Sequence, residues 1–372
     1  MRLQAGIAVA GTHGKTTTTS LAATVLRAAG LDPTVIIGGK LNTLGSNAAR
    51  GQGELLVAEA DESDGSFLQL LPVLAVITNI DAEHLDHYGT HEAVKEAFIA
   101  FANKVPFYGL VIACLDHPHV QDILPRIDRR VATYGLSPQA DYAVRDVVFD
   151  GLSTRFLVRR RGEDLGQFEV RMPGIHNVQN ALAVIALADE LSVPLEVVKE
   201  ALRTFGGVQR RFTVRGQQAG ITVVDDYGHH PTEIQVTLAA ARKAFSGRVV
   251  VAFQPHRYTR TAHLFDDFTR AFNDADILLI SEVYAAGEAP IAGADSAALV
   301  AALRSHGHRD VTYVPDRGDL VEALQKRLQV GDVVITLGAG NITELGPALL
   351  RALADSEVHG KDVDPATTKP PP

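Results

Sequence analysis

The sequence predicts an α/β fold with mostly parallel sheets. Three observations carry that expectation. Short apolar runs alternate with longer segments of helical period along most of the 372 residues, as expected for strands buried on both faces with helices between them. A glycine-bearing turn, Gly11-Thr12-His13-Gly14-Lys15-Thr16, joins the first apolar run to the first helical segment. One stretch, Tyr142 to Arg171, breaks the alternation and reads as a small antiparallel β segment.

The first element is the buried strand Gly6–Ala10, which begins only five residues after Met1. A domain that opens directly on a core strand points to missing upstream sequence. Further strands are expected at Val73–Ile77, Leu110–Cys114, Val249–Phe253, Ile277–Ile280 and Val333–Leu337, where continuous apolar runs are too short for helices. Helical periodicity marks Thr16–Ala29, Glu92–Asn103, Asn180–Leu191, Thr232–Ala244, Ser296–Arg304 and Leu320–Leu328. The antiparallel segment is expected from the runs Ala143–Phe149, Thr154–Val158 and Gln167–Arg171, separated by Asp150-Gly151 and Arg161-Gly162. Paired glycines in Phe205-Gly206-Gly207-Val208 interrupt the helical pattern, which places a boundary between a domain of residues 1–206 and one of residues 207–354. From Asp355 the chain turns polar and closes on Pro370-Pro371-Pro372, so a disordered tail is expected over 355–372.

At about 150 residues per domain, this length corresponds to two or three domains. Hydrophobic residues make up 46% and charged residues 21%, which excludes wholesale disorder. The formal charge of −9 supplies no global attraction to nucleic acid. No window approaches the roughly 18 uninterrupted apolar residues of a membrane span, and no basic start with a long apolar stretch marks a secretory signal. The single cysteine, Cys114, can form neither an intrachain disulfide nor a thiolate zinc site, so a cytoplasmic protein with a buried free thiol is expected.

The turn at Gly11–Thr16 sits where a phosphate loop belongs, after a strand and at a helix start. There backbone N–H groups converge and the helix end adds partial positive charge. Lys15 would bridge the β- and γ-phosphates and the Thr16 hydroxyl would ligate Mg²⁺. The motif is shorter than the full G-x-x-x-x-G-K-T pattern, since Val9 stands at the first glycine. An ordinary strand–helix turn is the alternative, and the flanking elements weigh against it. The run Leu55–Ala58 delivers Glu59 at a strand end, and Ala75–Ile80 leads to Asp81-Ala82-Glu83-His84, so Thr16, Glu59 and His84 are candidate metal ligands from three strand ends. Taken singly, Glu59 reads equally well as a solvated strand end and His84 as a solvated loop tip.

Several blocks together resemble the Mur ligases, ATP-dependent amide-forming enzymes of peptidoglycan precursor synthesis. They are Gly11–Thr17, Glu59-Ala60-Asp61-Glu62-Ser63-Asp64, and Asn79-Ile80 followed by His84-Leu85-Asp86. Later come His176-Asn177-Val178-Gln179-Asn180-Ala181, Gln209-Arg210-Arg211-Phe212, Asp225-Asp226-Tyr227-Gly228-His229-His230-Pro231-Thr232-Glu233, Gln254-Pro255-His256-Arg257-Tyr258-Thr259-Arg260-Thr261, and Gly338-Ala339-Gly340-Asn341-Ile342. The last three resemble the branch that joins L-alanine to UDP-N-acetylmuramate. The resemblance implies a central P-loop ATPase domain followed by a C-terminal Rossmann-like α/β domain, with the family's N-terminal UDP-binding domain absent from this chain.

ATP and Mg²⁺ are the implied cofactors, and UDP-N-acetylmuramate and L-alanine the implied substrates, with no nucleic-acid partner. By the same resemblance Gly11, Thr12, Gly14, Lys15, Thr16 and Thr17 bind phosphates, Thr16, Glu59 and His84 hold metal, and Asn177 and Asn180 meet adenine. Arg211 reaches a phosphate as domains close, Asp226 binds ribose hydroxyls, and Tyr227, His229, Arg257 and Arg260 face the muramoyl and amino-acid substrates. Lys15, His84, Arg211 and His229 form the implied catalytic set. Arg210 reads as a surface charge, Asn177 equally well as a helix cap, and the two loop arginines Arg257 and Arg260 also as surface ion pairs. Gly338-Ala339-Gly340 carries no assigned role. Ile99 stands where several relatives carry a modified lysine, so that feature is not expected. Two alternatives remain: a branch that attaches a preformed peptide in cell-wall recycling, which tends to carry a tyrosine near Ser63, and an ATP-binding fragment with little ligase activity.

Overall fold

Residues Gly6 to Ala10 are all buried, so strand β1 (Ala5–Ala10) has no polar face and has to lie inside a sheet covered on both sides. The computed structural model, which describes residues 1, 4–39 and 46–361 (backbone only for 85, 86 and 356–361), places it there. The chain divides into two compact units, Met1–Gln209 and Arg210–Pro372.

In the first unit the strands after β1 are β2 (Thr34–Ile36), β3 (Ala48–Ala49), β4 (Leu55–Glu59), β5 (Leu74–Ile77), β6 (Leu110–Cys114), β7 (Val131–Gly135), β8 (Tyr142–Asp150), β9 (Ser153–Arg160) and β10 (Glu163–Val170). They form one ten-stranded sheet in the order β10-β9-β8-β7-β6-β5-β1-β4-β2-β3. Along that order every pairing from β7 to β2 is parallel, and β3 at the edge runs antiparallel to β2. Successive residues of β1 feed opposite faces. Ile7 and Val9 join the core under the helices Lys15–Ala28 and Ile175–Glu190, while Ala8 and Ala10 pack toward Phe98 and Phe101 of the helix His91–Ala102. Cys114 closes β6 as a buried free thiol, and burial pushes it up to about 11.

The antiparallel segment is present as β8, β9 and β10, with Gly151 (φ 56°) opening one hairpin turn. Arg161 (φ 49°) and Gly162 (φ 91°) form the other, the two-residue left-handed turn that matches strand twist. β8 continues the sheet by running parallel to β7.

The second unit holds β11 (Thr213–Gln218), β12 (Ile221–Asp226), β13 (Val249–Phe253), β14 (Ile277–Ile280), β15 (Val311–Tyr313) and β16 (Val333–Leu337), in the order β11-β12-β16-β13-β14-β15. Only β11, an edge strand, is antiparallel to its neighbour. Val249, Val251 and Phe253 face one core, and Val250 and Ala252 the other.

Two helices differ from the sequence reading in ways that matter. The helix expected from Asn180 starts at Ile175, because Gly174 (φ 95°) caps it, so Asn177 lies inside the first turn. The final helix runs Leu345–Lys361 and so occupies the first residues of the expected tail; residues 362–372 lie outside the described chain. No helix among the described residues is long and apolar enough to cross a membrane.

Candidate active site

Two clusters of polar side chains form at strand ends, one in each unit. In the first unit, parallel pairing puts the carboxyl ends of β4, β1 and β5 side by side, with Val9 opposite Glu59 and Ala10 opposite Ile77. Carboxyl ends of parallel strands are where open α/β sheets bind ligands.

The chain leaves β1 through Gly11 (φ 135°) and enters the helix at Lys15 through Gly14 (φ 82°). A Cβ on Gly11 would lie 2.0 Å from Thr78 Oγ1, and one on Gly14 would lie 2.7 Å from Asn180 Oδ1. Only glycine satisfies both backbone and space at Gly11. Gly11→Ala is therefore expected to cost about 2–4 kcal/mol in denaturant unfolding. An unchanged midpoint would contradict the packed-turn account.

The turn is clasped by the segment after β5. Asn79 O accepts from Thr12 N–H (3.1 Å) and Asn79 Oδ1 from His13 N–H (2.7 Å). His13 O accepts from Thr78 Oγ1 (2.7 Å) and Asn79 Nδ2 (3.0 Å), and Thr12 Oγ1 accepts from Asp81 N–H (2.8 Å). The Asp81 carboxylate lies 3.2 Å from both His13 Nε2 and His117 Nε2. Burial opposes its charge, but the two imidazoles outweigh burial and hold the carboxyl far below the usual carboxylate range.

Lys15 Nζ donates to Gly11 O (2.6 Å), to Thr12 O (3.2 Å) and to both oxygens of Glu62 (2.8 and 3.0 Å). Thr16 Oγ1 donates to Glu59 Oε1 at 3.0 Å, and Glu59 Oε2 accepts from Gly38 N–H at 2.7 Å. His84 (φ 57°) joins through Glu62, its Nε2 lying 3.8 Å from Glu62 Oε1. From the helix Ile175–Glu190, buried Asn180 accepts from Thr18 Oγ1 (3.1 Å) and donates to Asn177 Oδ1 (3.3 Å), and Asn177 Nδ2 donates to Pro173 O (2.7 Å).

In the second unit the loops after β12, β13, β14 and β16 meet. Asp226 is directed inward: its two oxygens accept from Phe212 N–H and Gly228 N–H, each at 2.7 Å, and burial pushes its carboxyl up. The Tyr227 ring carries the guanidinium groups of Arg210 at 4.9 Å and Arg211 at 5.3 Å. Arg211 also lies 3.5 Å from Glu233 Oε1. His229 Nδ1 sits 3.1 Å from Tyr227 O and 3.3 Å from Glu233 Oε2, and burial pushes its imidazole down.

Arg260 Nη1 lies 3.1 Å from His256 Nδ1, while half-exposed Arg257 (φ 71°) lies 3.9 Å from Glu288. Burial first, then Arg260, His229 and Arg257, brings His256 down to about 4 from its ordinary 6.5. The unfolded chain takes up that proton near pH 6.5 and the folded chain only near pH 4. Its contribution to stability is therefore full above about pH 6.5 and is lost as pH falls toward 4. Urea unfolding at pH 7 and pH 5 is expected to show this fall, with a shallower slope in His256→Gln; equal slopes would contradict it.

Residues 9–188 match the model of the Mur ligase middle domain, and residues 210–340 that of the Mur ligase glutamate ligase domain. The UDP-N-acetylmuramate–L-alanine ligase of Sorangium cellulosum is 65% identical over 345 residues, covering 92% of this chain and 74% of that protein. The chain belongs to the Mur ligase family. This is a family of ATP-dependent ligases. A relative of the same name from Myxococcus xanthus is 62% identical, covering 95% of this chain and 75% of its own. Among solved structures, the UDP-N-acetylmuramate–alanine ligase of Thermotoga maritima superposes with a TM-score of 0.81 at 30% identity, over 95% of this chain and 76% of that one.

Within this Mur ligase chain, Gly11, Thr12, Gly14, Lys15, Thr16, Glu59 and His84 gather at one sheet edge. Thr17 is buried in the helix's first turn. Three readings change. Asp226 is buried rather than a free acid at its strand end: one oxygen accepts from Phe212 N–H, in the segment before β11, and the other from Gly228 N–H in its own loop. Arg210 is not a surface charge, since it donates to Gly338 O and Gly340 O and covers Tyr227. Gly338-Ala339-Gly340 acquires a packing role, because a Cβ on Gly340 would meet Gln254 Oε1 at 2.4 Å. Asn177, 2% exposed, sits beneath the surface with its amide nitrogen committed to Pro173. Sequence reasoning passed over Glu62, Glu233 and His256. Glu233 alone left a signal: it stands three residues after His230, where a capping box places its acid.

Proposed function

We propose that this chain joins L-alanine to UDP-N-acetylmuramate at the expense of ATP, a step of peptidoglycan precursor synthesis. One observation carries the chemistry: Thr16 Oγ1 and Glu59 Oε1 lie 3.0 Å apart at adjacent strand ends, with the Lys15 ammonium on the same loop. A hydroxyl and a carboxylate are the hard oxygen donors that Mg²⁺ prefers, so the residues fit the ion. Thr16, Glu59 and His84 would hold it, and when bound it neutralises charge on phosphate oxygens. The substrate assignment rests on relatives of that printed name at 65% and 62% identity.

A carboxylate does not condense with an amine unaided, because its oxygen is too basic to leave. Transfer of the γ-phosphoryl group to the lactyl carboxylate gives an acyl phosphate and ADP. The neutral amine of L-alanine then adds to the carbonyl, and the tetrahedral adduct releases phosphate as the amide forms. Lys15 and the backbone N–H groups of Gly11–Thr16 orient the phosphates and offset their charge. Asn180, against the loop at Gly14, supports it on the side we assign to adenine. Arg211, His229, Arg257 and Arg260 supply the cationic and imidazole groups suited to the substrates' carboxylate and phosphate. The reaction is placed in the cytoplasm, in keeping with a single, buried thiol.

The murein peptide ligase of Psychrobacter arcticus also superposes, with a TM-score of 0.68 at 25% identity over 95% of this chain and 78% of that one. The acceptor is therefore the property to test. Phosphate release measured with L-alanine and with L-alanyl-γ-D-glutamyl-diaminopimelate in parallel is expected to favour L-alanine. Preference for the tripeptide would overturn the assignment.

A further inference from the structure

Glu62 is a carboxylate 1% exposed, and the metal and phosphate assignments leave it without a task. Burying such a group is costly unless it is paired, and its partner is the loop lysine, at 2.8 and 3.0 Å. Its own backbone is fixed as well: Glu62 O accepts from Tyr88 Oη (2.5 Å) and from Gly65 N–H (3.0 Å). The carboxylate therefore has little room to follow the lysine; the lysine follows it.

A lysine is a point charge on a flexible stem with three donors and no built-in direction. Here the three donors meet Gly11 O, Thr12 O and Glu62, so the ammonium is aimed. Two of the four acids in the segment Glu59–Asp64 divide the work, since Glu59 meets Thr16 while Glu62, three residues on, meets Lys15. We propose that Glu62 is a positioning residue that aims Lys15 and sets the charge the loop presents to a triphosphate. The inference rests on the ligase reading of the loop and extends it to a second acid. A phosphate oxygen on Lys15 replaces its longest contact, the 3.2 Å bond to Thr12 O, while Glu62 keeps its hold.

Two effects of Glu62 oppose each other. Its charge repels phosphates and weakens ground-state binding; its aim places the ammonium for the transfer step. Glu62→Gln keeps the shape and removes the charge. In the full chain it is expected to lower KM for ATP several-fold while lowering kcat by about tenfold or more. In a Lys15→Met background the same change is expected to leave kcat unmoved, since there is no ammonium to aim, while KM still falls because the repulsion does not need the lysine. Glu62→Asp keeps the charge at shorter reach and is expected to leave KM near wild type with a reduced kcat. A purely structural role would instead move kcat in the same way with and without Lys15, and that result would overturn the proposal.

A double-mutant cycle on Lys15 and Glu62 in urea unfolding, without nucleotide, reads the pair independently of turnover. Non-additive changes are expected. Additive changes would overturn the pairing even if ligase activity is intact, whereas a chain with no ligase activity but a coupled pair would leave Glu62 tied to Lys15 and fault the functional reading alone.

Discussion

Lys15→Met is expected to lower ligase turnover about a thousandfold, counted per folded molecule because the buried Glu62 carboxylate loses its cation and the unfolding midpoint falls as well. The ammonium is the cationic side chain on the loop between Gly11 and Thr16, and phosphoryl transfer depends on offsetting charge as it develops on the transferred group. A factor of 10³ corresponds to about 4 kcal/mol of transition-state stabilisation. Lys15→Arg is expected to fail nearly as badly. A planar guanidinium cannot occupy a place shaped by Gly11 O, Thr12 O and Glu62 around a point charge. Phosphate release under saturating substrates measures both. Retention of a tenth of wild-type turnover by the methionine variant would remove Lys15 from the chemistry.

The largest stability effect is expected in the second unit, at Asp225→Ala. Asp225 is fully buried at the end of β12, and its carboxylate accepts from Arg215 Nη2 (2.5 Å), Thr343 Oγ1 (2.7 Å) and Thr336 Oγ1 (2.9 Å). Alanine leaves a cation and two hydroxyls without their shared acceptor, a loss of about 3–5 kcal/mol by comparison with broken buried pairs. At roughly 2–4 °C per kcal/mol for a unit of this size, the melting temperature should fall by about 10 °C. Asp225→Asn, which keeps one acceptor oxygen, is expected to lose less. A shift of 1 °C in the alanine variant would show that the network contributes little.

Strands buried on both faces were the most legible part of the fold. Leu110–Cys114, Val249–Phe253, Ile277–Ile280 and Val333–Leu337 have the bounds read from their apolar runs, because sheet burial leaves no polar position to blur the ends. Short strands such as β2 and the edge strand β3 carry no such run, and their identity comes from pairing, β2 with β4 and β3 with β2. The helix Leu195–Arg203 was passed over, although Val198, Ala201 and Leu202 give it a buried face.

In the first cluster, strand-end positions follow from register, so Glu59 beside Thr16 could be read in advance. Side-chain direction could not. Asp226 looks like a free acid at a strand end, yet its carboxylate turns back to the backbone of Phe212 and Gly228. Glu62 was one acid among several in its segment. Its significance comes from Lys15 and Tyr88, 47 and 26 residues away in the chain. Arg210 looked solvated until the carbonyls of Gly338 and Gly340 were seen to receive it.

The central claim is that the ends of β1 and β4 hold one metal–triphosphate site. A crystal structure with Mn²⁺ and a non-hydrolysable ATP analogue tests it directly, because the anomalous peak marks the ion without reference to the rest of the map. The account predicts a peak at coordination distance from both Thr16 Oγ1 and the Glu59 carboxylate, with a phosphate oxygen on Lys15 Nζ. A peak that touches neither Thr16 nor Glu59 would contradict it.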